Sequence, residues 1–213
     1  MSTSIETKAG NNTTLFYLEN DSDKPIAVSI NVLSREMNTA GEEKNNKING
    51  EISAYPTQLI IPGNEKRSVK VSWIGKTIPA NELSYRLVAE QLPIDLEKGN
   101  KKKASIKVLL RYVAALYVAS DLYEPEVSLK KFEVTPTTIS FHMQNTGKKH
   151  QILAGLVLKL SGKKELELSG EDLKGMSGEN ILALSERVFT FPKTGKLIDV
   201  QQSDKVKINF DKD

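Results

Sequence analysis

Apolar and polar residues alternate with a period of two along most of the chain, the spacing of half-buried strands and not of helices. Residues 13–19 predict a strand that closes at the polar turn Asn20-Asp21-Ser22-Asp23-Lys24-Pro25. In residues 26–33, Ile26, Val28, Ile30 and Val32 alternate with Ala27, Ser29, Asn31 and Leu33. The hydrophilic run 38–50 predicts a long hairpin loop, and 53–61 an extended piece broken at Pro62-Gly63-Asn64. Residues 67–74 set Val69, Val71 and Trp73 on one face against Ser68, Lys70 and Ser72 on the other. A further strand over 82–92 ends at Pro93, and a charged loop over 95–103 follows. Residues 104–118 form the longest β-like run in the protein.

The pattern resets near residues 120–125, and a second set of short strands is predicted at 127–134, 138–144, 153–160, 164–168, 187–191 and 206–210. Turn signals at Asn145-Thr146-Gly147, Ser161-Gly162, Ser177-Gly178 and Lys193-Thr194-Gly195 separate them. Many short strands with frequent turns predict β-sandwiches, and two such sets predict an all-β protein of two tandem sandwiches. The expected domains are residues 1–119 and 120–213. No internal sequence repeat relates them, and only 170–178 looks loosely helical.

Composition narrows the chemistry. Of 213 residues, 38% are hydrophobic and 27% charged, enough apolar material for real cores. Thirty Lys and Arg against 27 Asp and Glu give a net charge of +3, too balanced for a dedicated nucleic-acid binder. No apolar run approaches the ~20 residues that cross a bilayer, so no membrane-spanning segment is expected. The first residues lack a basic segment followed by an apolar one, so no secretion signal is read in the chain as given. The absence of cysteine removes thiol catalysis, disulfides and thiolate metal sites. The two histidines, His142 in a strand-like run and His150 in a Lys-flanked turn, read as ordinary surface or half-buried side chains. Gly75-Lys76-Thr77 lacks the earlier glycine of a phosphate-binding loop, since Lys70 stands there inside a strand. Asn11 and Asn12 match the glycosylation acceptor pattern, a frequent chance match. No Gly-x-Ser-x-Gly elbow or paired buried carboxylates occur, so no catalytic residues, cofactor, metal or small-molecule substrate are expected.

The informative segment is 104–118. Its even positions, Ala104, Ile106, Val108, Leu110, Tyr112, Ala114, Leu116 and Val118, are all apolar or aromatic. Ser105 and Lys107 begin the odd row, and from Leu109 onward both faces are apolar except at Arg111. One reading is a central strand that becomes fully buried, Arg111 reaching solvent along its stem. The other is an edge strand whose apolar row waits for a partner chain, with Arg111 as a fixed cation. The lysines at 101–103 form a solvated loop that also discourages pairing between identical copies. Arg86, mid-strand among apolar residues, predicts either an ion pair with Glu82, Glu90 or another carboxylate, or a bound anion.

These residues resemble a family. The order Asn20 to Lys24-Pro25-Ile26, Tyr55-Pro56, Ile60-Ile61-Pro62-Gly63, Val69-Lys70-Val71-Ser72-Trp73-Ile74-Gly75 and Tyr85-Arg86-Leu87-Val88-Ala89-Glu90-Gln91-Leu92-Pro93 is similar to the periplasmic chaperones of chaperone–usher pili, the PapD-like proteins. Leu110-Arg111-Tyr112 with Leu116-Tyr117-Val118 looks most like the archaic branch, and Asn145-Thr146-Gly147, Ile181-Leu182-Ala183 and Arg187-Val188-Phe189 also fit. The resemblance runs from about residue 10 to 210, tighter before residue 118, and rests on order and spacing.

It implies two immunoglobulin-like domains set at an angle, boomerang-like, in a non-enzymatic periplasmic protein whose signal peptide is removed. The first domain would lend an edge strand to an incomplete pilin-like subunit in a 1:1 complex and deliver it to an outer-membrane usher. The lent strand would carry Ala104, Ile106, Val108 and Leu110. Family members also anchor the subunit's C-terminal carboxylate with a basic residue on the first strand and another on the last strand of that domain. Arg111 approximately matches the last-strand position; the first-strand position falls on Ser4, which leaves Lys8, a first strand truncated here or, preferred, Arg86 on the neighbouring strand. The alternative is a two-domain β-sandwich surface or adhesion protein whose long strand is already paired internally.

Overall fold

The structure, a computed structural model, describes residues 2–6, 12–48, 50–94 and 108–210. The chain is all-β and divides into two compact units. Unit one holds 1–36, 44–79 and 83–121; unit two holds 122–213 together with the short segments 37–43 and 80–82.

Among the described residues, ten strands precede residue 120: β1 (Ser2–Glu6), β2 (Thr13–Asn20), β3 (Ile26–Ser34), β4 (Glu36–Met37), β5 (Glu43–Lys44), β6 (Ile52–Tyr55), β7 (Gln58–Ile61), β8 (Glu65–Trp73), β9 (Leu83–Gln91) and β10 (Arg111–Ala119). Unit one is an immunoglobulin-like sandwich with one sheet in the order β1-β10-β9-β3-β7 and a facing sheet β2-β8-β6. The predicted alternation decides which side chains meet between them: Val28 and Ile30 of β3, Val69, Val71 and Trp73 of β8, Tyr85, Leu87 and Ala89 of β9. Ala114, Leu116 and Val118, the even row of β10, complete this core with Ile5 and Phe16.

Eight more follow among the described residues: β11 (Val127–Val134), β12 (Thr138–Asn145), β13 (Gln151–Ile152), β14 (Leu156–Ser161), β15 (Glu165–Ser169), β16 (Asn180–Ile181), β17 (Glu186–Pro192) and β18 (Lys205–Phe210). They form the sheets β11-β12-β17, β13-β16 and β15-β14-β18 around Ile139, Phe141, Met143, Leu156, Leu158, Leu160 and Phe189. The loosely helical stretch is a single 3-10 turn, Gly170–Leu173.

Two local expectations change, and two residues gain a physical account. The loop predicted over 38–50 contains a two-stranded ribbon, β4 with β5, and its tip packs within unit two. There Val188 N–H donates to Thr39 O at 2.8 Å, and the Arg187 guanidinium meets Asn180 O at 2.9 Å, Glu179 Oε2 at 3.2 Å and Met37 Sδ at 3.2 Å. His150 is tied in by a carboxylate: Glu82, itself buried, accepts from the His150 backbone N–H at 3.0 Å and lies 2.7 Å from Nδ1. Gly75 is explained by packing, since a Cβ there would fall 2.2 Å from the Trp73 indole. The first residues, where only the resemblance placed a first strand, form β1, and Ile5 supplies one more core side chain.

Candidate subunit-binding edge

The strand expected over 104–118 begins at Arg111 and ends at Ala119; Ala104 and Ile106 lie outside the described residues. Its inner edge pairs with β9 in antiparallel register, Arg111 opposite Glu90 through Val118 opposite Leu83. Its outer edge pairs with β1 in parallel, from Ser2 opposite Ala115 to Glu6 opposite Ala119. Among the described residues no strand covers the outer edge from Arg111 to Ala114. The two readings of the sequence therefore divide the strand: its second half is a buried central strand, its first half an open edge.

The backbone direction along that edge follows from one bond. Gln91 N–H donates to Leu110 O at 2.9 Å, so the main-chain groups of Leu110, Tyr112 and Ala114 face β9. Those of Leu109, Arg111 and Val113 point the other way, toward the open side.

Side chains divide by the same parity. Ala114, Leu116 and Val118 lie in the core, so Val108, Leu110 and Tyr112 continue the core-facing row beyond the point where the facing sheet covers it. They are 75%, 49% and 61% exposed, whereas Leu116 and Val118 are fully buried. Leu110 and Tyr112 line a cavity of about 290 Å³ with Leu18, Ile26, Val28 and Ile61. The apolar row thus runs from the core, past an open pocket, into solvent.

The candidate cations occupy the opposite, outer face of the sheet. Arg111 opens β10 and is exposed. Arg86 is half-buried on β9, opposite Ala115, four residues along the register. That offset sets them roughly 13 Å apart on one face. The linker follows Ala119, so Arg111 stands at the remote end of its strand and Arg86 nearer the linker. Ser4 is exposed in β1 opposite Tyr117, and Lys8 lies outside the described residues. Glu82, one carboxylate considered as a partner for Arg86, is turned to His150.

One arginine was missed by the sequence reading. Arg35, only 8% exposed, donates from Nη1 to the Tyr117 hydroxyl at 3.0 Å. It follows β3 directly and its backbone N–H still bonds to Ser84 O at 3.1 Å, so it extends the register by one residue. The signal was present in the alternation, since Leu33 and Arg35 fall on the outward parity, but the break into the polar 38–50 run masked it.

Among the described residues no group of three or more His, Asp or Glu side chains gathers as a metal site, and no helix is long and apolar enough to cross a membrane.

No family model matches the sequence, and no curated protein matches it. Solved structures do match. The chain is similar to the chaperone–tip adhesion subunit pre-assembly complex CsuC–CsuE from the archaic chaperone–usher Csu pili of Acinetobacter baumannii, with TM-score 0.61 and 16% identity over 96% of this chain and 93% of that one. It is similar to the class 5 fimbriae chaperone CfaA, with TM-score 0.60 and 15% identity over 99% and 96% of the two chains. The Escherichia coli chaperone DraB matches with TM-score 0.60 and 15% identity over 90% and 82%. The resemblance read from residue order is thus met in three dimensions: the chain has the tandem immunoglobulin-like sandwich fold of the chaperone–usher pilus chaperones.

Proposed function

We propose that the protein is a periplasmic chaperone that holds a pilin-like subunit in a 1:1 complex by lending it the strand that leads into β10, and passes it to an outer-membrane usher. The observation that carries this reading is the half-covered edge: β1 closes β10 from Ala115 to Ala119 and stops where an exposed apolar row begins. An open, apolar edge invites uncontrolled pairing, and natural sheets normally blunt such edges. A strand added beside Leu109, Arg111 and Val113 satisfies their backbone groups, while alternate side chains of the lent segment fill the partner's groove. Ile106, Val108 and Leu110 are the inserted side chains, with Ala104 at the start of the row. The likeness to chaperones solved with their pilus subunits supports the same reading. Catalysis and a cofactor have no part in it.

The subunit's C-terminal carboxylate is anchored at the outer face by Arg86, with Arg111 as the flanking cation near the lent segment and Lys8, outside the described residues, as the remaining candidate. A charged hydrogen bond there fixes the register of the added strand.

The test is affinity capture from a periplasmic extract of the source organism, with identification and stoichiometry of the bound chain. The parent is compared with an Ile106→Lys/Val108→Lys double variant. Capture of a small β-rich subunit at 1:1 by the parent, lost in the variant with the melting temperature unchanged, is the expected result. A parent that stays a monomer without client supports the surface-protein alternative and overturns the proposal.

A further inference from the structure

Strand β11 is the edge of its sheet in unit two: β12 pairs one side of it, and among the described residues no strand pairs the other. Phe132 and Val134 pack against the core, while Lys131 and Glu133 face outward. Such a strand, amphipathic and rich in β-forming residues, is a template for pairing with another chain. Its outer main-chain groups at Phe132 and Val134 are nevertheless occupied. Val134 N–H donates to Gln202 Oε1 at 2.7 Å, and Gln202 Nε2 donates to Phe132 O at 2.7 Å. One side-chain amide therefore satisfies the acceptor and the donor, two residues apart, that a neighbouring strand would take.

The amide is steadied from behind. Val200 is buried in the unit-two core, and the chain after it closes a turn around Gln202. In that turn Gln201 N–H donates to Asp204 Oδ2 at 3.0 Å, and Asp204 N–H to Gln201 O at 3.1 Å. Elsewhere β11 is blunted by other means. A register shift between Leu129 and Lys131 disturbs its ladder, which leaves Phe132 to Val134 as the regular stretch, and Gln202 sits there.

We infer that Gln202 is an edge plug, and that the partner it holds off is β11 of a second copy of this chain. Antiparallel pairing about a two-fold axis at Phe132 sets that residue opposite its own counterpart. The same register sets Lys131 opposite Glu133 of the second copy, and Glu133 opposite its Lys131, so the outer face is complementary in charge to itself. Phe132 and Val134 carry the outward main-chain groups, so this register brings hydrogen-bonding residues together. Gln202 competes as a tethered partner at high effective concentration, which keeps the edge closed. The inference stands apart from the chaperone reading, and either survives the failure of the other.

The test compares the parent with Gln202→Ala and with Gln202→Ala/Asp204→Ala, which also frees the turn to move aside. Gln202 is exposed, so these changes leave the core untouched. Sedimentation velocity from micromolar to millimolar concentration reads association, and amide hydrogen exchange reads the edge. At low concentration the Val134 amide should exchange about fivefold faster in both variants than in the parent, the scale of one hydrogen bond. At high concentration the double variant should form dimer beyond any the parent forms, and its Phe132 and Val134 amides should slow as it does. Adding Glu133→Lys sets lysine against lysine across the pair and should remove that extra dimer. A Val134 amide as fast in the parent as in the variants would overturn the plug. Variants that stay monomeric at millimolar concentration would overturn the second copy as the partner held off. So would extra dimer that ignores Glu133→Lys or leaves the Val134 amide fast.

Discussion

Asn145 has no solvent exposure, and its side chain closes two loops. Its Nδ2 donates to Lys149 O at 2.7 Å, Leu182 O at 3.1 Å and Ile181 O at 3.3 Å, while Oδ1 accepts from the N–H groups of Glu126 and Gly147 at 3.0 Å each. Asn20 repeats the arrangement in unit one: Nδ2 donates to Lys24 O at 2.8 Å, Pro62 O at 3.0 Å and Ile61 O at 3.1 Å, and Oδ1 accepts from Ser22. Each asparagine ends a strand, bonds the carbonyl four residues on and clamps two successive carbonyls of a distant loop. No repeat is visible in the sequence because one side chain per unit carries the correspondence. Asn145→Ala should cost about 3–4 kcal/mol in urea unfolding, since buried donors and acceptors lose their partner together. Gly41 is a second position set by one side chain. Its φ is +89°, and a Cβ would fall 2.2 Å from Arg187 Nη2, so Gly41→Ala should lower the melting temperature by several degrees. Tyr85 is shifted upward from the ordinary tyrosine value of 10.0, first by burial and then by the Glu51 carboxylate, to which its hydroxyl donates at 3.1 Å. The folded chain keeps that proton where the unfolded chain releases it. Tyr85 therefore supports the fold fully below pH 10, and that support fades as pH rises past it. Stability measured from pH 8 upward should fall more shallowly in Tyr85→Phe than in the parent.

At the level of the strand, period-two alternation specified most of what folded. Val69, Val71 and Trp73, Val28 and Ile30 with the partly buried Ile26 and Val32, and Ala114, Leu116 and Val118 of β10 face the core as the pattern requires. What alternation could not specify is the point at which a row stops being covered. Tyr112 and Leu116 occupy equivalent positions in the sequence pattern, yet one is 61% exposed and the other fully buried. The difference is made by the facing sheet and by β1, whose pairing is set by residues more than a hundred positions away. Leu116→Ala should therefore destabilise by about 2–5 kcal/mol, and Val108→Ala by almost nothing. Denaturant midpoints of the two variants measure the contrast. The cations were legible as residue types and not as a group: Arg86 and Arg111 were visible as charges in apolar runs, while Arg35 joined them only through sheet register.

Across the whole molecule, the near balance of charge, the lack of cysteine and the two sets of strands already excluded broad classes of chemistry. The fold agrees with the resemblance, and at 16% identity or less it is the spacing of turns and core positions that carries it. The account of function turns on one edge, Arg111 to Ala114, where backbone groups alternate between a partner in the same sheet and none among the described residues. Amide hydrogen exchange reads those groups one by one. In the free protein, Arg111 and Val113 should exchange much faster than Tyr112 and Ala114, which β9 protects. In the purified complex with the captured subunit, Arg111 and Val113 should become as slow as their neighbours. Amides that are already slow in the free chain, or that stay fast in the complex, would contradict strand lending.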